Sequence, residues 1–456
     1  MAPHVLILPF PVQGHINPML QFAKRLSFKG PKTTLATTTF IINSINIQTD
    51  QVSCAPFSDG YDDTGLNGAR DNIEAYFESL RTIGSKTLEE LIVKQMSSSC
   101  PFTCMVYDTF VPWAVEVTEK YGLPCVAFST QSCAVSSIYY HFNHGLLDLP
   151  DSGATVSLHG LVPLERFDFP SFTFRDGSYP ALAGLSLNQF NAPQKSDWVL
   201  FNSFDELENE VIKCLKEQWN ARTIGPTVPS KFMDKRIEGD ENYTMNLLKP
   251  ESDLCINWLN KKPANSTVYV SFGSFANLQE EQTQELALGL KQSNKYFLWV
   301  VRASEQDKLP RREEFIEGED KGLIVAWSPQ LEILNHVAIG CFLTHCGWNS
   351  TLEGLSLGVP MVAVPQWTDQ PTNAKYAEDV WGVGVKVKID EKKVVRRDEI
   401  SRCIKEVMDG ERSEEIRRNA SKWKEVAKQA LCEGGTSDEN LNEFVEFLNA
   451  SSCDIN

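Results

Sequence analysis

Val5-Leu6-Ile7-Leu8-Pro9-Phe10-Pro11-Val12-Gln13-Gly14-His15-Ile16-Asn17-Pro18 runs from an unbroken apolar stretch, through a loop punctuated by proline and glycine, into helical spacing. A short apolar run closed by turn residues reads as a buried strand. The pattern predicts a helix over Pro18–Phe28 and a second strand over Thr33–Thr38, which together make a βαβ unit and imply a parallel sheet. Strands expected at Thr103–Tyr107, Pro124–Phe128 and Val199–Asn202, each followed by a helical pattern, extend it. From Thr223 to Pro250 the chain turns polar, aperiodic and rich in proline and glycine, as an interdomain linker would. The alternation restarts with strand Thr267–Phe272, helix Gln279–Gln292 and strands Phe297–Val301, Leu323–Ala326, Gly340–Thr344 and Pro360–Val364. A second doubly wound unit is therefore expected. From Arg396 to Leu448 helix-period patterns rich in Lys and Glu read as solvated faces.

A chain of 456 residues exceeds what one core serves, so two or three domains are expected, with a cleft available between them. Hydrophobic residues at 42% and charged ones at 23% are an ordinary globular mixture. A formal net charge of −17 repels phosphate backbones and anionic lipid, so no nucleic-acid partner is expected. Val5–Phe10 is too brief for a signal segment, and no stretch reaches the ~20 apolar residues that span a bilayer. The 12 cysteines, several inside strand-like runs (Cys104, Cys125, Cys341), read as reduced thiols of a cytoplasmic protein without membrane insertion. No Cys-x-x-Cys pair occurs and His141-x-x-His144 lacks partners, so no metal site is expected.

In open α/β sheets ligands bind beyond the carboxyl ends of the strands, which directs attention to polar residues just after apolar runs. His15 follows the first strand, on a loop where Asn17 would cap the next helix and Pro18 would fill its first turn. Asp108 ends the strand Thr103–Tyr107 at the same sheet edge. It reads either as the carboxylate that orients His15 for general-base work or as the cap of a helix starting near Pro112. Ser271-Phe272-Gly273-Ser274 ends another strand in small residues that let backbone approach a phosphate.

The strongest signal lies between Trp327 and Gln370: W-S-P-Q-L-E-I-L, then T-H-C-G-W-N-S-T-L-E-G, then P-Q-W-T-D-Q. This closely resembles the signature box of the plant secondary-metabolite UDP-glycosyltransferases, glycosyltransferase family 1. The G-H-I-N-P near the start and the S-F-G-S strand end extend the likeness over the chain. The resemblance implies an α/β protein of two facing Rossmann-like domains, GT-B type, with an interdomain cleft. It implies an inverting enzyme without a metal or other cofactor, its donor UDP-glucose. It further implies an acceptor domain over residues 1–245 with a linker near 226–250, a UDP-sugar domain over 251–435, and a C-terminal helix over 436–456 returning to the first domain.

Carried over residue by residue, Trp327 would stack on uracil and Gln330 would lie beside the uridine. His345, Asn349 and Ser350, with Gly14, Ser274 and Trp348, would hold the diphosphate region. Glu353 would bind the ribose, although Ser350-x-x-Glu353 is equally a capping box. Asp369 and Gln370 would hold the sugar hydroxyls, apart from the uridine contacts. His15 would take the acceptor proton and Asp108 would hold its ring. No Asp-x-Asp triplet is present to cradle a metal-bridged diphosphate. Phe10, Val12, Thr130, Ser132, Tyr139, Tyr179 and Trp367, with the aromatic-rich stretch 167–179, would line the acceptor site; the apolar ones read equally as core.

A nicotinamide oxidoreductase would carry Gly-x-Gly-x-x-Gly after a first strand, and none stands there. A non-catalytic nucleotide-sugar binder is the alternative from another class, and retention of His15 and Asp108 weighs against it. The expected partners are a UDP-sugar and a small apolar phenolic, terpenoid or steroid acceptor, taken by a monomer at a hydroxyl or a carboxyl.

Overall fold

The computed structural model describes residues 2–44, 51–69, 72–151, 153–174, 180–190, 193–243, 250–316, 318 and 320–454. The chain divides into two compact units: Met1–Arg166 with Ser171–Leu247 and Gln429–Asn456, and Phe167–Pro170 with Leu248–Lys428.

The first unit is built on a 7-stranded sheet in the order β3-β2-β1-β4-β5-β8-β9. Its strands are β1 (His4–Leu8), β2 (Lys32–Thr38), β3 (Ser53–Phe57), β4 (Cys104–Asp108), β5 (Cys125–Ser129), β8 (Trp198–Phe201) and β9 (Ala221–Thr223); β6 (Thr155–Val156) and β7 (Leu164–Glu165) form a separate small ribbon. All pairings of the large sheet are parallel. Every residue of β1, β4 and β5 is buried, as expected of central parallel strands covered on both faces. Val5, Ile7, Val106, Val126, Phe128 and Leu200 meet Leu20 and Phe22 of helix α1 (Gln13–Phe28) on one side of that core. The C-terminal helix Thr436–Asp454 adds Leu441, Phe444 and Leu448 to it. Its Asn440 and Ser437 donate to the backbone oxygens of Thr223 and Gly225, at 2.8 and 2.6 Å.

The second unit holds a 6-stranded sheet in the order β12-β11-β10-β13-β14-β15. Its members are β10 (Thr267–Ser271), β11 (Tyr296–Val300), β12 (Gly322–Val325), β13 (Ile339–Thr344), β14 (Met361–Ala363) and β15 (Gly384–Lys386), all in parallel register. Counted from its own first strand, this is the Rossmann order 3-2-1-4-5-6. In each sheet the order reverses beside the first strand, between β1 and β4 and between β10 and β13. Phe167–Pro170, expected in the acceptor wall, belongs to this second unit, where the Asp168 carboxylate accepts from Lys386 at 2.8 Å and its backbone oxygen from Thr372 at 2.6 Å.

Among the described residues no helix is long and apolar enough to cross a membrane, and the named cysteines are free. The polar stretch after Pro226, read as linker, is bonded to α1. Lys24 reaches Asp240 at 2.7 Å and Arg25 reaches Asp234 at 2.9 Å, with exposures of 5%/1% and 9%/1%. Removing one partner of such a pair strands a buried charge, at about 3–5 kcal/mol. Asp240→Ala is therefore expected to lower the unfolding free energy measured by urea titration by that order; a change under about 1 kcal/mol would show the pair to be effectively hydrated.

Candidate active site

His15 stands in the first turn of α1, not on a loop before it. The Val12 oxygen accepts from the N–H groups of both His15 and Ile16 at 3.0 Å, so the helix is wound before Asn17 and Pro18. Asn17 is buried inside the helix and caps nothing. Asp108, the last residue of β4 and 0% exposed, is no helix cap either, since Trp113 precedes the helix Ala114–Tyr121. Its Oδ2 lies 2.7 Å from His15 Nδ1 and accepts from the Phe10 N–H at 3.3 Å, while Oδ1 accepts from the Phe110 N–H at 2.9 Å.

An ionised carboxylate only accepts, so Nδ1 carries the ring proton and Nε2 is left bare. Thr130 Oγ1, at 3.1 Å, shares the Nδ1 side. Phe10 and Phe110 pack edge-on against the imidazole with centroids at 5.4 and 4.8 Å, and Phe77 lies 5.9 Å from Phe10. The arrangement is a base with a fixed tautomer, bordered by aromatic rings.

Of the other residues expected beside an acceptor, Val12 is buried at the start of α1. Ser132 caps helix α2 (Cys133–Asn143) by accepting from the Val135 N–H, and Tyr139 is 0% exposed within that helix. Trp367 is half-buried in the second unit, and Tyr179 lies outside the described residues. Sequence reasoning missed Phe77 and Phe110, and also Gln189, which is buried and accepts from Thr109 at 2.8 Å. None of these stands in a recognisable motif.

In the second unit the switch point gathers the loops after β10 and β13. Gly273 takes φ +71, and a Cβ there would lie 3.0 Å from the His345 ring; one on Gly347 would lie 2.6 Å from its Nε2. Two glycines thus make room for this imidazole. Its Nδ1 is sealed from solvent with no hydrogen-bond partner. Burial pulls the His345 pKa down to about 4, partly offset by the nearby Ser271 backbone.

Helix α5 (Trp348–Leu357) starts from Gly347, with no side-chain cap, so the Ser350–Glu353 capping box is not formed. Helix α4 (Gln330–Leu334) instead supplies Gln330, which donates to Glu353 Oε2 at 2.6 Å and Ser350 Oγ at 3.1 Å, and accepts from Tyr269 at 3.0 Å. Trp327 is half-buried rather than a core residue. Trp348 packs its ring 6.1 Å from Trp381, leaving its backbone as the part that faces the helix start.

Asp369, before helix α6 (Gln370–Lys375), is buried. Its Oδ2 accepts from the Trp348 N–H at 3.1 Å and from Asn373 at 2.7 Å, and burial raises its pKa. It therefore anchors the α5 N-terminus. Gln370 Oε1 accepts from the N–H groups of Gln366 and Trp367 at 2.8 and 3.1 Å, which leaves its NH2 as the group it can offer a ligand.

Residues 205–426 match the family model described as UDP-glucoronosyl and UDP-glucosyl transferase. The chain is 49% identical to flavonol 7-O-beta-glucosyltransferase UGT74F1 of Arabidopsis thaliana, covering 98% of this chain and 99% of that one. It is 46% identical to indole-3-acetate beta-glucosyltransferase of Zea mays over 100% of both. Os79 from O. sativa, solved in complex with UDP, superposes with a TM-score of 0.91 at 41% identity, covering 97% of this chain and 100% of that chain. The chain belongs to the plant UDP-glycosyltransferases. It is a UDP-glucosyltransferase of the GT-B fold class, transferring sugar from a UDP-sugar to small plant metabolites.

The buried imidazole gives this glycosyltransferase an acid-sensitive point. His345 binds its proton less readily folded than unfolded, so stability is full above the ordinary value near 6.5 and falls as pH drops from there toward about 4. His4, lowered by the same cause, acts in the same direction. Thermal unfolding between pH 7 and 5 is expected to show a falling midpoint with a shallower slope in His345→Gln; equal slopes would show that His345 is solvated when folded.

Proposed function

We propose that the chain transfers glucose from UDP-glucose, with inversion and without a metal, to a hydroxyl or carboxyl of a small apolar phenolic, terpenoid or steroid, acting as a cytoplasmic monomer. The observation that carries this reading is the 2.7 Å contact between His15 Nδ1 and Asp108 Oδ2. It presents Nε2 as a proton acceptor among phenylalanine rings suited to an apolar molecule. The acceptor oxygen forms its bond to the anomeric carbon on the face opposite UDP. Its proton passes to Nε2, and the sugar–phosphate bond breaks with its electron pair going to UDP. Asp108 stabilises the imidazolium that results.

For the donor, Trp327 supplies a flat platform for the uracil ring, and the Gln330–Glu353 pair suits the uridine and ribose hydroxyls. The first turn of α5, with Asn349 and Ser350, offers N–H groups and a dipole to the diphosphate, joined by His345 and Ser274. The Gln370 amide and the Asp369 carboxylate suit the sugar hydroxyls. The relatives named for a flavonol hydroxyl and for indole-3-acetate support keeping both acceptor chemistries.

His15→Ala is expected to slow transfer to an alcohol by about 10²–10⁴-fold with UDP affinity little changed. Asp108→Asn is expected to be damaging as well, and the double variant to resemble the worse single one, since both act on one proton transfer. A carboxylic acid is already ionised near neutrality and needs no base. Near-wild-type turnover of His15→Ala on an alcohol would sink the mechanism, whereas turnover retained on a carboxylate alone would identify glucose-ester formation. Exhaustive EDTA treatment is expected to leave the rate intact; loss restored by a divalent ion would overturn the metal-free reading.

A further inference from the structure

The loop from β10 to helix α3 (Glu280–Ser293) carries Gly273 beside the His345 ring and Ser274 next to it in sequence, and it is gripped from behind. Arg302, just beyond β11, directs one terminal guanidinium nitrogen to the Ser274 backbone oxygen and the other to that of Ala276, each at 2.5 Å. Lys308 secures the next turn through the Leu278 oxygen at 2.8 Å. The Arg302 side chain is 23% exposed, so these charge-assisted bonds are only partly screened.

We propose that Arg302 is a positioning residue for the diphosphate: it holds the Ser274 and Ala276 carbonyls so that the Gly273–Ser274 backbone sits against His345 and adds no unengaged carbonyl there. Backbone oxygens are the groups a diphosphate must not meet, and a planar fork is the side chain suited to take two of them at once. Gly273 reinforces the argument: at φ +71, a Cβ there would lie 3.0 Å from the His345 ring, so the loop runs beside that ring where a side chain would crowd it. Arg302 touches the loop, not the ligand, and acts through Ser274 and His345. The inference rests on the donor assignment proposed above.

The test compares UDP with uridine by calorimetry or ligand-observed magnetic resonance. Uridine lacks the diphosphate but keeps the contacts assigned to Trp327, Gln330 and Glu353. Arg302→Met is expected to weaken UDP by on the order of 10–100-fold, the worth of a lost charge-assisted bond pair, with uridine unchanged. Arg302→Lys, which can hold one carbonyl well, is expected to fall between, and about 20 mM guanidinium is expected to tighten UDP binding by Arg302→Ala toward the wild-type value. Unchanged UDP affinity, or equal weakening of UDP and uridine in a folded variant, would overturn the positioning role. If Arg302→Met does not fold, the Arg302→Lys ratio of UDP to uridine affinity decides in the same way. Failure of the unaltered protein to bind UDP would instead strike the donor assignment.

Discussion

In a doubly wound parallel sheet every right-handed crossover lays a helix on one face, and the face changes where the strand order reverses. At that point the carboxyl ends of two adjacent strands feed helices that diverge, leaving uncovered backbone and room for side chains. Each unit of this protein has one such point, and each holds polar groups that the proposed chemistry uses. Between β1 and β4 these are His15 and Asp108; between β10 and β13 they are Gly273, Ser274, His345 and the start of α5. The spacing along the chain is immaterial to this. His15 and Asp108 are 93 residues apart, and they meet because β1 and β4 are paired from Val5–Cys104 to Leu8–Tyr107.

The two points are built with opposite electrostatic logic. In the first unit a carboxylate at 0% exposure is kept by neighbours that all donate to it: two backbone N–H groups and the imidazole. That supply of donors offsets the cost of its burial and fixes the proton on Nδ1. In the second unit the imidazole is instead held neutral by desolvation, with an unsatisfied Nδ1. An unpaired buried nitrogen costs free energy, and such strain persists at sites where a ligand completes the bonding.

The central strands were legible from their apolar runs: Val5–Leu8 is apolar throughout, and Thr267–Phe272 alternates Val268, Val270 and Phe272 into the core. Three of the four edge strands were not. Ser53–Phe57 contains Pro56, and Ala221–Thr223 and Gly384–Lys386 are 3 residues each, too short to show a period. Asn17-Pro18 imitates a helix start, but the backbone had already closed on Val12, where the apolar loop turns into the core. Ser350-x-x-Glu353 imitates a capping box one turn too late, because Gly347 is the residue that must pass His345 without a side chain. Local motifs failed where tertiary packing chose a different residue for the same task. The acceptor-facing residues were the least legible: Ser132 and Tyr139 serve helix α2, and the rings around His15 come from segments that share no motif.

The donor is an anion and the protein carries a formal charge of −17. Among the residues assigned to the donor, Ser274, Trp327, Gln330, Asn349, Ser350 and Gln370 are neutral, Glu353 and Asp369 are acidic, and His345 is held uncharged at neutral pH. The cations beside that loop, Arg302 and Lys308, are turned to backbone carbonyls. Attraction at a distance therefore contributes little, and recognition falls to oriented dipoles at contact range: the N–H groups of α5, the amides of Gln330 and Gln370, and hydroxyls. Dipoles reward an exact fit and decay faster with distance than charges do, so a cradle of this kind depends on the rigidity of its loops more than on the number of its contacts. That dependence gives physical sense to a loop gripped through its carbonyls by Arg302 and passing His345 at a glycine, beside assigned donor residues that include no fixed cation.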